Sequence, residues 1–224
     1  MSNSITIRTR TACLRLAAFT CAVLVAASAS AVVVPTDCVP PPDTYFGGFH
    51  AQYNAGLINL SDPQHQGFDS CLSPGPPGTV SHEQFGSTVK ANISVNNGAP
   101  QAMQAPANCA VQMVPISDDG TTRVFQTEML QLDISGGTLP PGTMIRESPT
   151  LQSTGQTTIK SLGTNYQIDS FFDIFTELSI DGGQTWFPST DQGGASYAGH
   201  VALGGSVGAE LTPWSNFKTL YRNP

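Results

Sequence analysis

Residues able to do chemistry are few in this chain, and they are scattered. Its four histidines, His50, His65, His82 and His200, show no H-x-H or H-x-x-x-H spacing, so no local motif pairs them as metal ligands. The first three read as exposed loop residues, and no motif supports a Ser–His pair assembled from distant loops. Gly204-Gly-Ser206-Val-Gly208 matches G-x-S-x-G letter for letter. A nucleophile elbow, however, needs a strand before it, a helix after it, and then an acid and a histidine in that order. Here Pro213 follows closely, Glu210 is the only later acid, and His200 precedes the serine, so the segment reads as a glycine-rich loop. Asp169, Asp173, Glu177 and Asp181 recur at every fourth position. On a strand that spacing is about 13 Å, against roughly 5–10 Å for an acid pair acting on a glycosidic bond. The row reads as a solvated acidic face, and a glycan hydrolase using the 169–181 strand with help from a neighbouring strand is the alternative. The turn carboxylates Asp118, Asp119 and Asp181 are the nearest calcium candidates, but no EF-hand spacing supports them. No catalytic, cofactor-binding or metal-ligating residue is assigned.

Ser179-Ile-Asp-Gly-Gly-Gln-Thr-Trp186 predicts a hairpin turn. Glycine supplies positive φ, the Asp side chain can accept bonds from turn amides, and the Trp ring can cover the bend. The stretch resembles the Asp box of sialidases and other secreted β proteins, where it is a structural turn remote from catalysis. A sialidase would need several copies and a cluster of three substrate-binding arginines. Beyond the N-terminal region the chain has only Arg123, Arg146 and Arg222, none in a recognisable motif. Trp186, Phe187, Tyr197, Trp214 and Tyr221 could form a sugar-stacking platform, but core or hairpin-cover roles are favoured.

The N-terminal region is read as an export signal. Arg8, Arg10 and Arg15 form a basic head, Leu16 to Ala27 an apolar run too short to span a bilayer comfortably, and Ala29-Ser30-Ala31 a small-x-small cleavage site. Phe-Thr before Cys21 is unlike a lipoprotein cleavage box, so no lipid anchor is expected. The exported part, from about Val32, keeps six of the nine basic residues and all sixteen acids, a formal charge of −10. That balance argues against nucleic-acid or anionic-membrane partners, which need basic patches. It suits a secreted, extracellular protein, or one that uses carboxylates to hold divalent cations. Of the cysteines beyond the signal, Cys38, Cys71 and Cys109, any two could pair and leave one thiol over. Cys38–Cys71 is favoured, because both lie in loop-rich sequence; Cys109 precedes a strand-like run and reads as buried.

Abundant Gly and Pro with few charged residues point to an all-β chain. Residues 32–87 read as an irregular Pro/Gly-rich segment. From Thr88 strand signals become regular: Thr88 to Val95, an Asn96-Asn97-Gly98 turn, Gln101 to Ala105, Ala110 to Ile116, Arg123 to Ile134, Thr143 to Arg146, Thr157 to Ser161, Tyr166 to Ile180, Gln184 to Phe187 and Gly199 to Leu203. The segment from Tyr166 to Ile180 could also form a helix stripe, but its aromatic and β-branched content and the turn after it favour a strand. Turns about every ten residues predict a single antiparallel β-sandwich over 88–204, with 205–224 as a C-terminal tail.

Arg146-Glu-Ser-Pro-Thr150, Ser153-Thr-Gly-Gln-Thr-Thr158, the run from Ile168 to Trp186 and His200-Val-Ala-Leu203 together resemble a group of secreted bacterial β-rich proteins of unknown function. The resemblance covers about Thr88 to Leu203 and implies no activity or ligand. Many members of that group end in a Pro-Glu-Pro sorting signal, an apolar helix and a basic tail, none of which occurs at Leu220 to Pro224. The expected function is a non-catalytic structural or interaction protein of the extracellular matrix or surface, with other extracellular proteins or polysaccharide as partners. A carbohydrate-binding module and the 169–181 hydrolase are the alternatives.

Overall fold

The computed structural model describes residues 31–204. The stretch read as an export signal, residues 1–31, lies outside the described residues apart from Ala31, as do Ser206, Trp214, Tyr221 and Arg222. The described part has twelve strands in one antiparallel sheet and no helix. They are β1 (Val32–Val34), β2 (Tyr45–Phe46), β3 (His50–Tyr53), β4 (Ile58–Gln66), β5 (Ser81–Val95), β6 (Gln101–Asp118), β7 (Thr122–Ser135), β8 (Met144–Glu147), β9 (Ser153–Ser161), β10 (Tyr166–Ser179), β11 (Phe187–Pro188) and β12 (Ala198–Leu203).

The sheet is a closed barrel, not the β-sandwich that the turn spacing predicts. Eight strands complete the ring in the order β4, β5, β6, β7, β9, β10, β12, β2 and back to β4. The remaining four lie outside that ring and continue its staves. β8 carries on from β9 between β7 and β10, β1 and β11 line the β12 side of β10, and β3 extends β2 along β4. The closing pieces come from the segment read as irregular: residues 32–87 hold β1 to β4 and the start of β5. Closure removes the open sheet edges that a sandwich would keep. The two runs read as separate strands, Gln101 to Ala105 and Ala110 to Ile116, form the single strand β6, which Pro106 does not interrupt.

Alternation is regular because each strand has one buried face. Phe85, Val89, Ala91 and Ile93 of β5 point inward beside Met103, Ala105, Ala107, Cys109, Val111 and Met113 of β6. The Tyr166 to Ile180 segment is a strand whose buried face carries Ile168, Phe172, Ile174 and Leu178; Ile180 lies past its end and is exposed. Two bulges explain two exposed apolar residues. Leu130 and Ile116 are the extra residues where the β6–β7 register slips, so both turn outward. The outward faces of β5 and β6 carry Gln84, Lys90, Asn92, Gln104, Asn108 and Gln112. This polar-out, apolar-in arrangement is the reverse of a membrane-spanning barrel. No helix among the described residues is long and apolar enough to cross a membrane.

One end of the barrel is stapled by Cys38–Cys71, the pairing favoured from sequence, while Cys109 is a buried free thiol. At the wall, Gly155 of β9 faces Phe171 so closely that a Cβ there would overlap the Phe171 carbonyl oxygen. Gly155→Ala is expected to cost about 3 kcal/mol or more by forcing backbone apart. Gly120→Ala, in open space but at φ +84, should cost only about 1 kcal/mol. Urea unfolding of the two variants checks the contrast, and equal midpoints would count against it. Replacing Cys38 and Cys71 by Ser, which opens a loop of sequence separation 33, should lower stability by about 3–4 kcal/mol. The unfolding midpoint with and without reductant measures this.

Candidate functional site

Alternation along the strands carries polar side chains as well as apolar ones into the barrel. His65 of β4, Ser87 of β5 and Cys109 of β6 meet there, with His65 Nε2 2.6 Å from Ser87 Oγ and Cys109 Sγ 3.4 Å from that hydroxyl and 3.7 Å from the imidazole nitrogen. His65 is thus a buried strand residue and not the exposed loop residue that its surroundings in sequence imply, whereas His50 and His82 are exposed on β3 and β5. A second chain runs from the Tyr45 hydroxyl to Ser170 Oγ at 3.0 Å and on to Thr157 Oγ1 at 2.8 Å. A third contact joins the Tyr53 hydroxyl to Thr176 Oγ1 at 2.7 Å.

A thiol, an imidazole and a hydroxyl in contact have the composition of a nucleophilic centre, but their charge states are wrong for one. Burial pushes the Cys109 thiol up to about 12 and the His65 imidazole down to about 4. Both are neutral near pH 7, and the nucleophilic form of cysteine is the thiolate. The cavity beside them, lined by Tyr45, His65, Phe68, Glu83, Phe85 and Phe172, has a volume of about 10 Å³, room for about one water. The Cys109 residue is itself buried, 3% exposed. Edge-on aromatic packing of Phe68 against His65, Tyr45 and Phe85 closes the space further.

Glu83 is the inward residue that sequence reasoning missed. Its residue is 5% exposed, the Leu72 backbone donates to its carboxylate, and Oε2 is buried with no hydrogen-bond partner. Burial raises its pKa to about 7. The available signal was its place in the alternation Glu83, Phe85, Ser87, Val89, which puts it on the apolar face.

The four acids of the Asp169 to Asp181 row stay apart. Asp173 pairs with His200 at 2.7 Å, and Glu177 accepts two bonds from Arg146 at 3.0 and 2.7 Å. Burial raises the pKa of Asp169, one of whose oxygens is buried without a partner. Asp181 lies in the turn after β10. Its Oδ1 accepts the Thr185 and Gln184 amides at 2.8 and 3.0 Å and the Ser179 hydroxyl at 2.7 Å, and these bonds hold its pKa at about 2. The predicted reversal is therefore built as expected in its bonding, although the strand that returns, β11, is only two residues long and begins at Phe187. The Trp186 ring lies against Gly183, its Nε1 donates to the Gly183 carbonyl at 3.0 Å, and the Arg146 guanidinium sits 4.0 Å from the ring centroid.

The other sequence candidates are also separated or occupied. Asp118 and Asp119 sit in the β6–β7 turn, where they accept the amides of Gly120, Thr121 and Thr122; the register places Asp181 at the opposite end of the barrel. Among the described residues no group of three His, Cys, Asp or Glu side chains could hold a metal ion. Phe187 packs against the core, as does Tyr197, whose ring also meets Phe49. With Trp186 covered by Arg146, these three rings form no open platform. Sequence reasoning also missed Glu147, at the junction where β8 gives way to β9 beside β10. It accepts the Ser153 hydroxyl at 3.0 Å, and burial, reinforced by Glu128 and Glu177, raises its pKa to about 7.

No family model, curated protein or solved structure matches this chain.

The buried acid gives the fold a defined pH response. Glu83 changes from 4.5 in the unfolded chain to about 7 when folded, so the folded state holds the proton more tightly. Below the unfolded value there is no penalty; stability falls as pH rises from 4.5 towards 7, and above that the penalty is complete. His65 acts at the acid side: its contribution is intact above 6.5 and lost as pH falls towards 4. Glu83→Gln should be more stable than the parent by about 2 kcal/mol at about pH 8, discounted for residual solvent screening, and no more stable at about pH 4. Urea unfolding at both values measures the difference, and a gain of the same size at each would refute the assignment.

Proposed function

We propose that this chain is an exported, non-catalytic structural or interaction protein of the extracellular matrix or surface, akin to the secreted bacterial β-rich group that its Arg146–Thr150, Ser153–Thr158 and Ile168–Trp186 blocks resemble. The observation that carries this reading is the filled barrel. The inward thiol and imidazole are neutral and sealed over a cavity of about 10 Å³. The row that a hydrolase would use is divided among separate partners: His200 for Asp173, Arg146 for Glu177 and turn amides for Asp181. What remains for function is the outward face, whose amides, hydroxyls and scattered charges suit recognition. The prediction of export supports the extracellular placement, and the acidic balance of the chain speaks against nucleic acid as a partner.

A carbohydrate-binding role is the second reading, favoured by a groove on the outer wall lined by both polar and apolar residues. It does not use the aromatic platform expected from sequence.

Two measurements test the main reading. Protein recovered from the medium of an expressing culture should begin near Val32; retention inside the cell would remove the extracellular part. Incubated with glycan, ester and peptide substrates, the purified chain should turn over none of them faster than an Asp173→Asn, Glu177→Gln variant does. Turnover by the parent that disappears in that variant would replace the reading with the hydrolase.

A further inference from the structure

We propose that the outer wall formed by β4, β5 and β6 holds an uncharged oligosaccharide in a groove beside the β4 bulge. The inference rests on the interaction reading above and assigns its partner class. Gln64, Lys90 and Gln104 stand directly opposite one another on adjacent strands and share the outward face. Next to them Asn92 faces Ala102, whose small side chain leaves a depression. The resulting groove has a volume of about 400 Å³. At Ala102 and Thr138 it meets a second depression of about 460 Å³, whose accessible apolar lining is Val95, Pro140 and Pro141. A sugar ring presents hydroxyl edges and an apolar C–H face, and this surface offers amides and charges at one end and aliphatic contact at the other.

The bulge sets the polar end. The β4–β5 register slips between Ser61 and Gln64, and Asp62 takes a positive φ of 51, an unfavourable conformation for a residue other than glycine. Both hydrogen bonds to its carboxylate, from Ser61 and Asn92, fall on Oδ2 at 2.9 and 3.2 Å. Among the described residues none donates to Oδ1. Lys90 lines the same groove and belongs to none of the ion pairs among those residues. One anion and one cation, held apart and flanked by three primary amides, form a donor and acceptor set for neutral vicinal hydroxyls. An anionic polymer would meet Asp62 on a chain that is net acidic. A peptide adding as a strand would need the free edge of β6 before Ala107, where pairing with β7 begins. Thr138 already occupies that edge, accepting the Gln104 N–H through Oγ1 at 2.7 Å and donating its own N–H to the Gln104 carbonyl at 2.8 Å.

The test is an amide-resolved NMR titration of the purified chain with cellohexaose, xylohexaose, chitohexaose and maltohexaose in turn. At least one should produce saturable shifts at Asp62, Gln64, Lys90, Asn92, Gln104 and Thr138. Lys90→Ala and Gln104→Ala should each weaken that binding about tenfold, the loss of one good hydrogen bond. Ala102→Trp, which fills the depression from an outward position, should abolish it while leaving the unfolding midpoint unchanged. No saturable shift with any of the four sugars, shifts centred on Trp186 and Arg146, or shifts in the groove with an extended peptide alone would each overturn the proposal. Cleavage of a sugar in the same tubes, read by mass, would instead sink the non-catalytic reading while leaving the groove standing.

Discussion

Closure of the barrel hangs on the two-residue strand at Tyr45 and Phe46. These residues pair with Leu203 and Ala202 on one side and with His65 and Gln64 on the other. Without that bridge β12 and β4 would each present unpaired N–H and C=O groups, an edge that costs stability and invites association. The same pair anchors the interior. Tyr45 is fully packed, its ring meeting Phe68 and Phe172, and its hydroxyl reaches across to Ser170. A short strand suffices because the neighbours on both sides are already positioned: β12 by β10, and β4 by β5.

A closed small barrel leaves little interior volume, and side-chain size decides what occupies it. Here aromatic and aliphatic residues fill the space, and the polar groups that enter with them are nearly all satisfied in pairs: His65 with Ser87, Tyr45 with Ser170, and Tyr53 with Thr176. A buried polar group is tolerated when it is hydrogen-bonded and costly when it is not. Glu83, Thr127 and Asp169 each keep a buried oxygen without a partner, and Glu83 responds by holding its proton. The consequence for function is direct. The proposed recognition role therefore looks to the outer wall and its bulges, since the described interior holds a cavity of only about 10 Å³.

Charges on that wall are spent locally. Asp181, Asp118 and Asp119 accept the amides of their own turns, where short acidic side chains replace missing backbone partners. Arg146 lies over Trp186 and grips Glu177, tying the turn after β10 to β8. Lys90 and Asp62 differ in sharing a groove without pairing, which is why this surface stands apart from the rest.

Sequence alone determined the properties that repeat locally. Runs between turn signals marked β7, β9, β10 and β12, and aromatic and β-branched content with the turn that follows favoured strand from Tyr166 onward. The chemistry of Ser179 to Trp186 specified the bonding of its turn. Loop composition picked out Cys38 and Cys71 as partners. Tertiary structure decided what depends on residues far apart. Phe46 finds Ala202, and Tyr53 finds Thr176 at a separation of 123 residues; neither contact leaves a local trace, so an eight-strand ring looked like a sandwich. Short strands broken by Pro and Gly carry too few alternations to be seen, and β2 and β3 were hidden for that reason. His65 was misread for the same cause: its neighbours Gln64 and Gln66 are polar, and only the partner strands that surround it reveal that it faces inward.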